Sequence, residues 1–160
     1  MKKWFISALV LLLAACNHEE TAKAETGAVA PPIVALGLHD EVVSLPEAPA
    51  RPLILNFWSA TCGMCIKELR EIQDLQAARP QAVDVLAVNI DGADGKTLQA
   101  LATQRGLTLP LAADQMGVTA ERYRVNGTPT NYLIGRDGQI LERKAGMLDT
   151  ADLQRWFSAR

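Results

Sequence analysis

The sequence lacks several features that would indicate common functions. It has only two histidines, His18 and His39, which are too few and too badly placed for a histidine-based metal site. Its formal net charge of −2, without a stripe of basic residues, gives no reason to expect a nucleic-acid partner. Its longest apolar stretch, residues 4–15, is too short to span a bilayer as a helix. Its three cysteines are therefore the main candidates for residues that carry its chemistry.

The first cysteine, Cys16, directly follows a predicted export signal. A start with two lysines is followed by the apolar stretch, and the Leu-Ala-Ala-Cys box that ends at Cys16 resembles the cleavage site of bacterial lipoproteins. In such signals the cysteine becomes the lipidated first residue of the mature chain. We therefore predict a signal peptide over residues 1–15 and a lipid anchor on the periplasmic side of a bacterial membrane, inner or outer. The alternative is an ordinary signal peptide with an incidental cysteine.

Residues 16–32 are predicted to form a flexible tether. They are polar and rich in alanine, lack an apolar period, and end in two prolines. A disordered leader without a spacing role fits the same composition. The globular domain is then expected over residues 33–160. Because export leads to a compartment where disulfides persist, the two remaining cysteines can form one there.

Those two cysteines, Cys62 and Cys65, form a Cys-x-x-Cys pair between a predicted strand and a predicted helix. The apolar run 53–58 before them is typical of a strand covered on both faces, and helical spacing follows from residue 66 to about 79. The free N–H groups at a helix start favour a thiolate, so the pKa of a cysteine there can fall from about 8.5 to 7 or below. No second ligand pair is present for structural zinc.

The rest of the chain alternates between strand and helix patterns. Two short strands are predicted at 33–36 and 41–45, and a buried strand at 83–90. A helix ends near Gly106, and Asp-Gly within 136–139 predicts a hairpin turn. A last helix begins at residue 149 or 150. This order predicts an α/β layer structure with a right-handed crossover.

Three blocks of sequence carry a resemblance to a known family: residues 55–65, which contain Leu-Asn-Phe-Trp and Cys-Gly-Met-Cys; residues 123–130; and residues 133–140. Over roughly residues 33–160 the chain resembles the thioredoxin fold, and within it the exported TlpA/ResA-like thiol–disulfide oxidoreductases. The resemblance implies a central mixed sheet flanked by helices, with an N-terminal strand pair before the core. It also implies an enzyme that exchanges disulfides.

The resemblance assigns roles to the residues around the dithiol. Cys62 is expected to attack a partner disulfide, and Cys65 to resolve the mixed disulfide. Glu68 matches a glutamate near the active site of the ResA-like branch and is a candidate tuning or proton-accepting group. A solvated helix charge is the alternative for Glu68.

A second segment is expected to face the dithiol. The resemblance implies a cis peptide bond before Pro129 and places the backbone of Thr128 where it pairs with a substrate chain; the alternative is an ordinary strand-entry proline. Met64 adds a flexible apolar surface beside the sulfurs, and Met64, Thr128 and Pro129 are the predicted substrate-binding residues. Thr61 departs from the family, which usually has tryptophan at this position, and this departure bears on the redox potential.

The resemblance also implies partners. Anchored members of this family are mostly reductants, which draw electrons from a membrane thiol reductase and pass them to apocytochrome c or other exported disulfide-bearing proteins. We expect a monomer without a cofactor or metal. Two other functions stay open. A peroxiredoxin-like peroxidase would have threonine three residues before Cys62, where Ser59 stands. A Cu(I)-binding module could use the two thiolates, but apart from Met64 no methionine or histidine supports it.

Overall fold

A computed structural model of the protein describes residues 24–159, so the predicted signal peptide, Cys16 and residues 17–23 lie outside the described part. The strands are β1 (Ala35–Leu36), β2 (Val42–Val43), β3 (Leu53–Trp58), β4 (Asp84–Asn89), β5 (Leu111–Ala113), β6 (Thr130–Ile134) and β7 (Ile140–Ala145). The helices are α1 (Gly63–Ala78), α2 (Gly95–Arg105), α3 (Val118–Arg122) and α4 (Thr150–Trp156). None of these helices is both long and apolar enough to cross a bilayer.

The strands form one mixed sheet of seven strands in the order β2-β1-β5-β4-β3-β6-β7. Strand β3 pairs parallel with β4 on one side and antiparallel with β6 on the other. The short pair β1 and β2 lies at the edge beyond β5. The predicted mixed sheet, with a strand pair before the core, is therefore confirmed.

Strand β3 lies at the centre of the core because its side chains, apart from Asn56, are apolar on both faces. Ile54 and Trp58 pack into one cluster with side chains of α1, α2 and α4. Leu55 and Phe57 point to the other face and pack with Tyr123 and other residues. All six residues of the strand are buried. The strand is thus packed on both faces. A short loop connects its last residue to Cys62.

The predicted flexible tether is wrong for residues 24–32, which pack against the domain. Val29 forms an antiparallel bridge with Gln139 at the start of the edge strand β7. The hydroxyl of Tyr123 donates a 2.7 Å hydrogen bond to the carbonyl oxygen of Pro31. Backbone pairing and hydrogen bonds to carbonyl groups require no apolar period, so the sequence pattern does not reveal them. The packed domain therefore begins before residue 33.

Replacing Tyr123 with phenylalanine is expected to lower the free energy of unfolding by about 1–2 kcal/mol, because the buried Pro31 carbonyl loses its donor. Urea denaturation measures this change. In a chain that lacks residues 24–32, the same substitution should have almost no effect. An equal loss in both backgrounds would contradict the role given to this hydrogen bond.

Candidate active site

The dithiol lies just after β3, at the start of α1. The helix begins at Gly63, three residues earlier than its apolar spacing suggests, because Cys62 is its N-cap. The sulfur of Cys62 accepts a 3.1 Å hydrogen bond from the backbone N–H of Cys65. The two cysteines form a disulfide with a Cα–Cα distance of 5.2 Å. A thiolate on Cys62 would therefore lie at the positive end of the α1 dipole.

The two sulfurs differ in access to solvent. Cys62 is partly exposed, whereas Cys65 is fully buried in the core cluster. Only Cys62 can meet a partner disulfide without rearrangement of the helix. This difference agrees with the predicted order of attack, in which Cys62 acts first and Cys65 second.

The loop before β6 faces the dithiol, as expected. Because Thr130 pairs with Phe57 in the β3–β6 register, the residues just before β6 lie beside the end of β3. The Thr128–Pro129 peptide bond is cis, and the carbonyl oxygen of Thr128 lies 3.6 Å from the sulfur of Cys62. A substrate backbone that bonds to Thr128 would thus place its own sulfur close to Cys62.

Met64 lies on the open side of the dithiol. Met64 is 60% exposed. It lies between the two cysteines in sequence, and together with Thr128 it is available to a partner chain. Its predicted part in substrate binding is compatible with this position.

Glu68 is buried, which contradicts its alternative interpretation as a solvated helix charge. The residue has 0% of its surface exposed and lies one helical turn after Cys65 on the same face of α1. One carboxylate oxygen accepts hydrogen bonds from the side-chain amide of Asn131 at 3.0 Å and from the backbone N–H of Leu148 at 2.5 Å. The other accepts a 2.9 Å bond from the amide of Asn56.

The environment of Glu68 places its titration near neutral pH. Burial raises the pKa of the carboxyl from 4.5 to about 7, although the donors Leu148, Asn131 and Asn56 act in the opposite direction. At neutral pH the group is therefore divided between its ionised and protonated forms. A carboxyl in this state, one turn from Cys65, can both accept and return a proton.

Asp91 is a residue of the site that the sequence did not reveal. Its carboxylate accepts a 2.7 Å bond from the backbone N–H of Ala60 and a 2.8 Å bond from the side chain of Asn89. Burial alone would raise the pKa of Asp91, but the hydrogen bonds from Ala60, Ser59 and Asn89 lower it. Asp91 thereby ties the loop that carries Cys62 to the end of β4. Its position just after a parallel strand beside β3 is the signal that could have identified it.

Replacing Asp91 with alanine is expected to slow disulfide exchange about tenfold, because the loop before Cys62 loses its anchor and small displacements of reacting groups reduce rates strongly. The rate of reduction of a small disulfide by the reduced protein measures this effect. Asp94 offers a matched control, since its carboxylate caps α2 by accepting a bond from Thr97. Exchange by Asp94→Ala at the wild-type rate would assign the effect to the loop. Equal slowing in both variants would contradict it.

Among the described residues, no group of three or more histidine, cysteine, aspartate or glutamate side chains is placed to hold a metal ion. The arrangement that is present consists of a partly exposed cysteine, a buried cysteine, a buried carboxyl and a peptide backbone that faces them. This combination can carry out thiol–disulfide exchange and supply the proton transfers that it requires.

Comparison with known proteins gives consistent results. A model of the AhpC/TSA family matches residues 26–143. The thiol-disulfide oxidoreductase ResA of Geobacillus kaustophilus is 30% identical, with 92% of this chain and 88% of that protein covered.

Two solved structures resemble the fold closely. A protein of Chlorobium tepidum, assigned as a thiol:disulfide interchange protein DsbE, superposes with a TM-score of 0.73 at 28% identity over 84% of this chain and 96% of its own. StoA of Bacillus subtilis superposes with a TM-score of 0.66 at 26% identity over 81% of this chain and 98% of its own. The similarity thus includes almost the whole length of both proteins.

Proposed function

Because the chain belongs to the AhpC/TSA family and is a thiol–disulfide oxidoreductase, we propose that it works as a membrane-anchored reductant for disulfides of exported proteins. The observation that carries the proposal is the arrangement of an accessible Cys62, a buried Cys65 and a buried carboxyl one helical turn further on. To release its reduced partner, such an enzyme needs a second sulfur that reacts with the mixed disulfide but not with a free partner disulfide.

The reaction begins with the reduced dithiol. The Cys62 thiolate attacks one sulfur of the partner disulfide, forms a mixed disulfide and expels the other partner sulfur as a thiolate. Cys65 then gives its proton to Glu68, and its thiolate attacks the sulfur of Cys62. This step forms the Cys62–Cys65 disulfide and releases the second partner sulfur, which takes up a proton. The partner gains two electrons and the dithiol loses two.

The structure favours the second step by position. Both sulfurs belong to the first turn of one helix, so the attack by Cys65 is intramolecular and has a high effective concentration. The cost lies in the ionisation of a thiol that has 0% exposure, since burial disfavours the thiolate. In this proposal Glu68, one helical turn further along α1, offsets this cost by accepting the proton.

The proposal also includes a lipid anchor, an electron donor and a substrate. Lipidation of Cys16 would hold the domain on the periplasmic side of a bacterial membrane, inner or outer. A membrane thiol reductase would return two electrons to the Cys62–Cys65 disulfide. Apocytochrome c is the substrate that the resemblance to anchored reductants suggests. The sequence of the signal and the resemblance to anchored reductants support these assignments.

The reduction potential tests the direction of electron flow. In equilibrium with glutathione, a value near about −270 mV, as in thioredoxin, would support a reductase, whereas about −120 mV, as in DsbA, would contradict it. The same preparation should turn over no peroxide, since Ser59 stands where a peroxidase has threonine. Membrane fractionation of wild type and Cys16→Ser tests the anchor separately, and equal membrane association of both would contradict lipidation.

A further inference from the structure

We propose that Asn131 is a positioning residue that, together with Asn56, holds the side chain of Glu68 as a carboxylate ready to accept the proton of Cys65. The inference rests on the proposed function, because it concerns the proton transfer in the resolving step. It gives a chemical purpose to two buried amides that packing alone does not require.

The two amides are brought together by strand register. Asn56 on β3 and Asn131 on β6 are directly opposite each other in an antiparallel pair. Both residues have 0% exposure. Directly opposite side chains are within contact distance on one face of a sheet, and here that face is the one covered by Glu68 of α1. Two adjacent asparagines are costly in a core unless their polar atoms are used.

One backbone carbonyl fixes the orientation of both amides. The nitrogen of the Asn131 amide donates to the carbonyl oxygen of Gly146 at 3.2 Å and to Glu68 at 3.0 Å. Because a carbonyl oxygen can only accept, the Asn131 oxygen must point the other way, towards Asn56. It accepts a 2.6 Å bond from the Asn56 nitrogen, whose second hydrogen is left for Glu68 at 2.9 Å. Both amide nitrogens therefore donate a hydrogen bond to the carboxylate of Glu68.

The result is a cluster that suits the ionised form of Glu68. Together with the N–H of Leu148, its two oxygens receive three N–H donors and meet no acceptor in this cluster. All three of these groups donate to Glu68, so none of them can accept the O–H of a protonated carboxyl. The charged group that acts on Glu68 is Glu71 of the same helix, which raises its pKa, whereas β3, β6 and the segment before α4 present uncharged amides. The amides thus oppose the effect of burial.

This balance matters for the resolving step. While Cys65 attacks the mixed disulfide, Glu68 must be ionised to take the proton from its S–H, and it must later give that proton up. Burial already raises the pKa of Glu68; without Asn131 the pKa would rise further, and Glu68 would be protonated over more of the neutral range. The base would then be missing when the buried thiol needs it.

The test is the titration of Glu68 in the oxidised full chain, where no thiol of the pair titrates. The side-chain ¹³C carboxyl shift of Glu68 gives its midpoint directly. Asn131→Leu is expected to move this midpoint upward by about one pH unit, the scale of a hydrogen bond to a charged group. Thr119→Val is the matched control, because it removes hydrogen bonds of another fully buried side chain, those to Val34. This control should leave the midpoint in place.

Kinetics of the reduced full chain provide the second readout, with oxidised glutathione as the probe. In Asn131→Leu the mixed disulfide should persist several-fold longer at pH 7 and resolve at the wild-type rate at higher pH. Asn131→Val, with a side chain that suits a strand interior and has no donor, should show the same two effects if the leucine variant fails to fold. An unmoved Glu68 midpoint in the variants, or an equal slowing at every pH, would overturn the inference. Failure of wild type to exchange with any disulfide would instead overturn the proposed function, while the titration would still decide the role of Asn131.

Discussion

Replacing Cys62 with serine is expected to abolish disulfide exchange, lowering the rate by at least about a thousand-fold, because the attacking thiolate is removed. Replacing Cys65 with serine should have a different result. Cys62 still attacks, but no second sulfur can release the partner, so a mixed disulfide accumulates. Non-reducing electrophoresis or mass spectrometry detects this covalent adduct.

The two variants test the asymmetry between the sulfurs. If the roles were reversed, Cys62→Ser would trap the partner and Cys65→Ser would be inactive, which the full burial of Cys65 makes unfavourable. Cys16→Ser serves as the control, because the third cysteine lies outside the dithiol and its loss should leave exchange unchanged. A trapped adduct in Cys62→Ser would contradict the assigned order.

The second large effect concerns stability and pH. Burial raises the pKa of Glu68 from 4.5 in the unfolded chain to about 7 in the folded protein, so between these values the folded state retains a proton that the unfolded chain has lost. The stability that this proton contributes is fully present below pH 4.5 and is lost as the pH rises through about 7. The shift corresponds to about 3 kcal/mol in the free energy of unfolding.

Glu68→Gln isolates this contribution, because glutamine does not titrate. The free energy of unfolding of the variant minus that of wild type should increase by about 3 kcal/mol from pH 4.5 to pH 8. Urea denaturation of the oxidised proteins at a series of pH values measures it. Glu121→Gln, which removes an exposed carboxyl of α3, is the matched control at the same pH values. A flat difference for Glu68→Gln would contradict the buried, titrating carboxyl.

Features that depend on neighbours in sequence could be predicted well. The apolar run of β3 was predicted with its observed bounds, Leu53–Trp58, because a strand covered on both faces needs apolar residues at consecutive positions. The hairpin between β6 and β7 follows from the Asp-Gly turn, and Gly138 has the positive φ of 76° that such a turn requires. The last helix begins at Thr150, with Asp149 as its N-cap.

Features that depend on distant residues could not be predicted. Helical spacing placed Glu68 near Cys65 but left open whether it was solvated, since one of the donors that hold it, the N–H of Leu148, lies 80 residues away. Asn131 is separated from Glu68 by 63 residues, and Asp91 from Ala60 by 31. Sequence periodicity describes one element at a time, whereas these contacts arise from the register between elements. The cis bond and the dithiol were accessible because the family resemblance carries them as local motifs.

Because residues 24–32 pack against the domain near β7, only the residues between Cys16 and Ala24 separate the proposed lipid anchor from the packed domain. From Cys16 to Ala24 there are eight residues, which reach at most about 28 Å when fully extended. A lipid at Cys16 would therefore keep the domain close to the bilayer, without the freedom of a longer spacer. Clients would have to bring their cysteines to the membrane surface, which favours chains still emerging from it over large folded proteins further away.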